Sequence, residues 1–249
     1  MKKLIAIGGG EIGRPGYPVE TTKIDKEIIK LTNKLNPKLL FIPTASSDSE
    51  LYFDTIKKHF GKRLNCKVDV LYLLKEKPTL KQIKAKILTS DIIYVGGGNT
   101  TLMLKTWKKT GADKVLLQAY IKGIIISGLS AGSICWFRYG ISDSKKFTNS
   151  KASLCKISGL NIINALNCPH YNIEKDRKPQ LKAMMKKEKG IALALDNCSA
   201  IEVINNTYRI ITSKSTANAY KVYWKDNKFY EEVIEKTKTF QPINKLLKK

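Results

Sequence analysis

An α/β fold with a mostly parallel sheet and helices on both faces is what this sequence predicts, on three observations. Short apolar runs alternate with amphipathic stretches through the first half of the chain. Those runs are continuously apolar, as strands covered on both sides must be. Glycines gather at their C-terminal ends, the edge of a parallel sheet at which ligands bind. Toward the C-terminus the texture changes, and antiparallel strands are expected there.

The elements follow in order. KLIAIG (3–8) reads as a buried strand, with a Gly/Pro-rich loop and a helix over 23–34 after it. A second strand over 38–46 leads to a helix over 49–60, and a third over 66–74 to a helix over 80–88. A fourth strand, 91–98, is followed by two helical stretches and the run GIIIS (123–127). Such alternation makes right-handed crossovers the expectation. Beyond His170 a helix is expected over 178–187. IALAL, SAIEVI, TYRIIT and AYKVYW…KFYEEVI then come separated by Asp-Asn and Asn-Asn turns, and predict antiparallel strands closing one end. No repeat or linker marks a boundary. A single domain is expected, its core over about 1–205 and a hairpin with a basic tail over about 206–249.

The 249 residues carry a net charge of +24, which invites a nucleic-acid reading. Lysines supply nearly all of it. Arginine, the better bidentate reader of phosphates and bases, is confined to Arg14, Arg63, Arg138, Arg177 and Arg209. No nucleic-acid motif is present, so specific nucleic-acid binding is not expected. Five cysteines without a CxxC pair point to reduced thiols in a cytoplasm. The first apolar run stops at glycines and Glu11, too short for a signal sequence or a membrane span.

Two glycine clusters bear on function. IAIGGGEIG holds G-x-G-x-x-G at Gly8, Gly10 and Gly13, but Pro15, Gly16 and Pro18 prevent the helix that a dinucleotide would need. The loop therefore reads as a site rim or a plain turn, and no cofactor or metal is expected. In VGGGNTTLML (95–104), bare backbone N–H groups are free to approach a substrate oxygen, and Asn99 or Thr100 can cap the next helix.

GLSAG (128–132) carries the chemistry. Small flanking residues let the chain turn sharply and expose the Ser130 hydroxyl on a strand-to-helix corner. Serine needs a neighbouring base. His59, in the charged stretch DTIKKHFGK, reads as a solvated surface residue, whereas His170, in NCPHYN, follows an apolar run and a proline. Between the serine and the histidine lies one acid, Asp143, over an interval too short for an α/β-hydrolase. Downstream, the candidate acids are Glu174, Asp176, Asp196 and Glu202, and Asp196 ends a strand-like run.

VGGGNTTLML, GLSAGSICW, NCPHYN and ALDNCSAIEV, in that order, resemble the motifs of the peptidase E family, which includes aspartyl dipeptidase and, more distantly, cyanophycinase. The likeness extends over about residues 3–203. It implies a flavodoxin-like, class I glutamine-amidotransferase-like fold with serine in place of cysteine at the corner. Ser130 is then the nucleophile, His170 the base and Asp196 the acid, where aspartyl dipeptidase carries a glutamate. Ala131 with Gly97 or Gly98 would supply the oxyanion hole. Asn99 and Arg177 are the candidate substrate contacts, Arg177 being the nearest match to an arginine that reads an aspartyl side chain. Cys135 lies beyond the corner and reads as packing. The expectation is a cytoplasmic serine-type peptidase of small peptides, dipeptides with N-terminal Asp among them, acting as a monomer or homodimer without membrane partners. The alternative is a pocket that binds a small molecule without chemistry.

Overall fold

Alternation along the strands sorts their side chains into two cores. In the computed structural model, which describes residues 1–249, the first five strands are β1 (Lys3–Ile7), β2 (Lys38–Ile42), β3 (Lys67–Val70), β4 (Ile92–Val95) and β5 (Ile125–Leu129). They pair in parallel in the order β1-β5-β4-β2-β3. Leu4, Ala6, Leu40, Ile93 and Ile126 face one layer of helices, whereas Ile5, Ile7, Phe41, Ile92 and Ile125 face the other. That division follows from the period of two along a strand.

On one face, α3 (Leu80–Leu88), α4 (Thr100–Thr110) and α5 (Ala112–Ile121) bury Ile83, Ile87, Met103, Trp107, Val115 and Leu116. On the other, α1 (Thr22–Lys30) buries Ile24 and Ile28, and α2 (Glu50–Ile56) contributes Ile56. The starts of these helices are legible locally. Ser49 caps α2 by accepting from the Tyr52 N–H, Thr79 and Gln82 form a reciprocal capping box on α3, and Asn99 caps α4.

The chain then leaves this sheet. After α6 (Ala131–Ile134) it forms β6 (Phe137–Ser142), β7 (Cys155–Ser158) and β8 (Ile163–Cys168), then α7 (Arg177–Lys187) and β9 (Ala192–Leu195). It returns as β10 (Ser199–Ile204) and β11 (Thr207–Thr212), antiparallel neighbours on the far side of β1. A last excursion makes the hairpin β12 (Ala219–Lys225) and β13 (Lys228–Val233), before β14 (Gln241–Pro242) joins β11.

Antiparallel strands are present toward the C-terminus, as the turns predict. They divide, however, between the eight-stranded sheet and a second, six-stranded sheet ordered β13-β12-β9-β8-β6-β7. Within that second sheet β6, β8 and β9 run parallel, so IALAL joins the parallel strand β8 on one side and the antiparallel strand β12 on the other. No helix is long and apolar enough to cross a membrane.

His59 departs from expectation. After α2 the chain continues as π-helical turns over Lys57–Arg63, and His59 is buried there with Nε2 2.8 Å from Asp25 Oδ2. The wider turn shifts the residues out of the 3.6 period, so His59 and Phe60 point inward from a segment otherwise rich in lysine.

Candidate active site

Three successive carbonyls at the end of β1 hold the site together. Ile7 O accepts from the Ser130 N–H at 3.1 Å, Gly8 O from the His170 N–H at 3.0 Å, and Gly9 O from the Cys198 N–H at 2.9 Å. Because β1 lies between β5 and β10, three segments remote in sequence dock on one short stretch of central strand. Gly8 and Gly9 are buried, where unpaired backbone groups are costly.

Each docked segment turns at a residue with positive φ: 56° at Ser130, 56° at His170 and 66° at Cys198. Left-handed backbone outside glycine costs on the order of 1–3 kcal/mol and persists where the surroundings fix it. At Ser130, φ 56° and ψ −114° form the strand-to-helix corner between β5 and α6. The flanking glycines are required by contact. A Cβ on Gly128 would lie 2.6 Å from the carbonyl oxygens of Gly132 and Val95, and one on Gly132 would overlap the Val95 backbone.

Ser130 Oγ lies 2.8 Å from His170 Nε2, and His170 Nδ1 lies 2.7 Å from Asn197 Oδ1. An amide oxygen can only accept, so Nδ1 carries the proton and Nε2 turns its lone pair to the serine hydroxyl. Burial first, and the Arg177 guanidinium second, hold the His170 imidazole below the usual histidine range. The ring is therefore neutral at pH 7, able to take a proton from Ser130.

The residue beside the imidazole is Asn197 and not Asp196, the expected acid. Asp196 Oδ2 accepts from the Asn218 N–H at 2.8 Å, while its own N–H donates to Asn218 O at 3.0 Å. It thereby ties the β9–β10 turn to the approach of β12. Its neighbour in a tight turn points the other way, into the site. The other candidate acids are also elsewhere: Glu202 is buried against Arg209, Asp176 is exposed near Lys146, and Glu174 pairs with Arg177.

A cavity of about 500 Å³ opens over Ser130 and His170, walled among others by Gly10, Ile12, Arg14, Tyr52, Gly97 and Leu129. The GGGEIG loop is thus a rim of the site. Glu11 folds that loop, its Oε1 accepting from the N–H groups of Ile12, Gly13 and Arg14 and its Oε2 from Arg14 Nε at 2.8 Å. Gly97 lines the cavity, and a Cβ there would sit 3.3 Å from Ser130 Cβ. Gly98 does not line it, since it packs against the Ala45 carbonyl. Ala131 is buried directly after the serine, and its N–H has no acceptor in the protein.

Neither expected substrate contact reaches the cavity. Asn99 spends its side chain capping α4, accepting from the Leu102 N–H at 3.0 Å. Arg177 is 1% exposed, with Nε on Glu174 Oε2 at 2.7 Å and Nη1 on Ile141 O at 2.9 Å. At the first turn of α7 it points into the core of the second sheet. The cation at the cavity is Arg14. Cys135 is fully buried, its thiol pushed well up by burial and donating to Gly132 O.

Asn197, Tyr52, Arg14 and Gly9 are the site residues that sequence reasoning missed. Gly9 abuts the imidazole so closely that a Cβ there would overlap Asn197 Oδ1 and the His170 ring.

Residues 4–211 match the model of peptidase family S51. The chain is 34% identical to the uncharacterized peptidase YgaJ of Bacillus subtilis (strain 168), over 93% of this chain and 96% of that one. It is 32% identical to the uncharacterized peptidase Lmo0363 of Listeria monocytogenes, over 59% of this chain and 74% of that one. Its fold is like that of a crystal structure of a peptidase from an acI-B1 Actinobacterium, with a TM-score of 0.72, 18% identity and 97% of each chain covered.

Proposed function

The chain belongs to peptidase family S51 and is a serine-type peptidase, and we propose that it cleaves small peptides through Ser130, His170 and Asn197. His170 Nε2 takes the hydroxyl proton as Ser130 Oγ attacks the peptide carbonyl carbon. The C=O π pair moves onto oxygen, facing the Ala131 and Gly97 side of the serine. The C–N bond then breaks, and the proton on Nε2 goes to the leaving amine. Water, activated by the same imidazole, releases the acyl group. Asn197 holds the ring in the tautomer this requires but adds no negative charge.

The observation that carries this reading is the chain of contacts at 2.8 and 2.7 Å from Ser130 through His170 to Asn197, facing the 500 Å³ cavity. The cavity's size favours short peptides over folded proteins. Its cation, Arg14, is held by Glu11, so Asp-X dipeptides belong in the test panel beside neutral and basic ones. The experiment is that panel run on the native chain and on Ser130→Ala. Turnover by the native chain alone supports the reading, and equal turnover by both removes it.

A further inference from the structure

The Gly97 N–H does not open directly onto the cavity. It donates to the hydroxyl of Tyr52, at an N···O distance of 3.4 Å. Tyr52 Oη–H in turn meets no protein acceptor, and Tyr52 shares the cavity wall with Ser130 and His170. Gly97 itself lies against the nucleophile, the position of a Cβ there being 3.7 Å from Ser130 Oγ. The phenol thus stands behind Gly97, the residue that abuts the serine, and its own proton is taken by no acceptor in the protein.

Three features fix it there. Tyr52 sits in the first turn of α2, and its own N–H is held by the Ser49 cap at 3.2 Å. Its ring packs edge-on against Phe41, with centroids 5.0 Å apart at 65°. On another side the ring occupies the space that glycine leaves at position 96, where a Cβ would come within 2.9 Å of Tyr52 Cε1. A ring wedged between a core phenylalanine and a bare backbone keeps its hydroxyl in place without reorganising during the reaction.

We propose that the Tyr52 hydroxyl is a catalytic donor to the oxyanion, with the Gly97 N–H behind it as a relay. As Ser130 attacks, Oη–H donates to the negative oxygen while Oη goes on accepting from Gly97. Each bond in such a chain polarises the next, so the phenol donates more strongly than an isolated one. No proton changes owner in this contact, and the Ala131 N–H completes the pair. Burial pushes the Tyr52 hydroxyl up to about 12, so it keeps its proton throughout the working range of a peptidase. This inference rests on the serine mechanism above and assigns to a side chain the donor role that the GGGNT loop alone would otherwise fill.

Tyr52→Phe keeps the ring and removes the donor. The expected result is a kcat lower by roughly 10²–10³, as for loss of one oxyanion-hole donor, with KM within about twofold of the native value. Binding of phenylboronic acid, which forms a tetrahedral adduct on an active serine, should weaken in parallel. Gly96→Ala tests the same point by displacing the ring, and serves if Tyr52→Phe folds poorly. A kcat for folded Tyr52→Phe within about threefold of native overturns the inference, since the backbone N–H would then suffice. Native enzyme with no Ser130-dependent turnover overturns the serine reading as well, so the two failures are told apart.

Discussion

His59 and His170 each hold a side-chain oxygen at hydrogen-bond distance, yet their surroundings differ in almost every other respect. His59 faces a carboxylate, Asp25 Oδ2 at 2.8 Å, which also takes the Thr21 hydroxyl at 2.7 Å. His170 faces an amide, Asn197 Oδ1. By partner chemistry alone His59 is nearer to a hydrolase dyad. It lies at 2% exposure, however, and its Nδ1 meets no nucleophile, or indeed any partner. His59 joins α1 to the π-helical turns behind the sheet. His170 stands at a strand-end corner with a serine on one side and a cavity above. What separates the two is the strand edge, since a base can act only where a hydroxyl and a substrate meet it.

That contrast can be broken or sharpened by substitution. Ser130→Ala should lower kcat by at least about 10⁴, measured on the best-cleaved peptide of the panel, with the melting temperature retained. Gly9→Ala places a methyl group on Asn197 and the imidazole. A kcat loss of about 10² with secondary structure intact is expected, because small displacements of a catalytic pair cost that much. Asn197→Asp should act through pH. A carboxylate favours the imidazolium, so the pKa of His170 rises from its depressed position. Since the neutral ring is the active form, the acid limb of kcat/KM should move to higher pH, and an unmoved limb would detach Asn197 from the base. Asp196→Asn keeps the acceptor that Asn218 uses, and kcat should stay within about threefold. Asp25→Ala should leave kcat unchanged. It strips the hydrogen-bond partner from a buried histidine and should cost about 1–3 kcal/mol in urea unfolding.

Much of the fold was legible because burial on both faces leaves a plain mark. Continuous apolar runs located the five parallel strands of the first sheet, and the bounds of α3 agree at both ends. Strands β6 to β8 left no such mark. FRYGIS and CKIS mix polar and apolar residues, since β7 is an edge strand with two of its four residues exposed. Within the site, Ser130 and His170 could be found because a sharp corner needs small neighbours and a serine needs a base. Asn197 could not, since a tight turn aims successive side chains in unrelated directions and Asn197 is the very next residue after Asp196. Arg177 misled for the opposite reason: its place in the chain suited a substrate contact, but its side chain found acceptors in the core. The glycines at 8–10 were read against a nucleotide motif, whereas their carbonyls and missing side chains serve the docking of other segments.

The three carbonyls of β1 also impose an order in time. They precede in the chain every segment they receive, the last of which contains Cys198. A chain growing on the ribosome therefore carries its serine and then its histidine long before the turn that orients the imidazole has been made. On the mechanism proposed above, such an unfinished chain has no competent hydrolytic centre, and cleavage waits for the turn that carries Asn197 and Cys198.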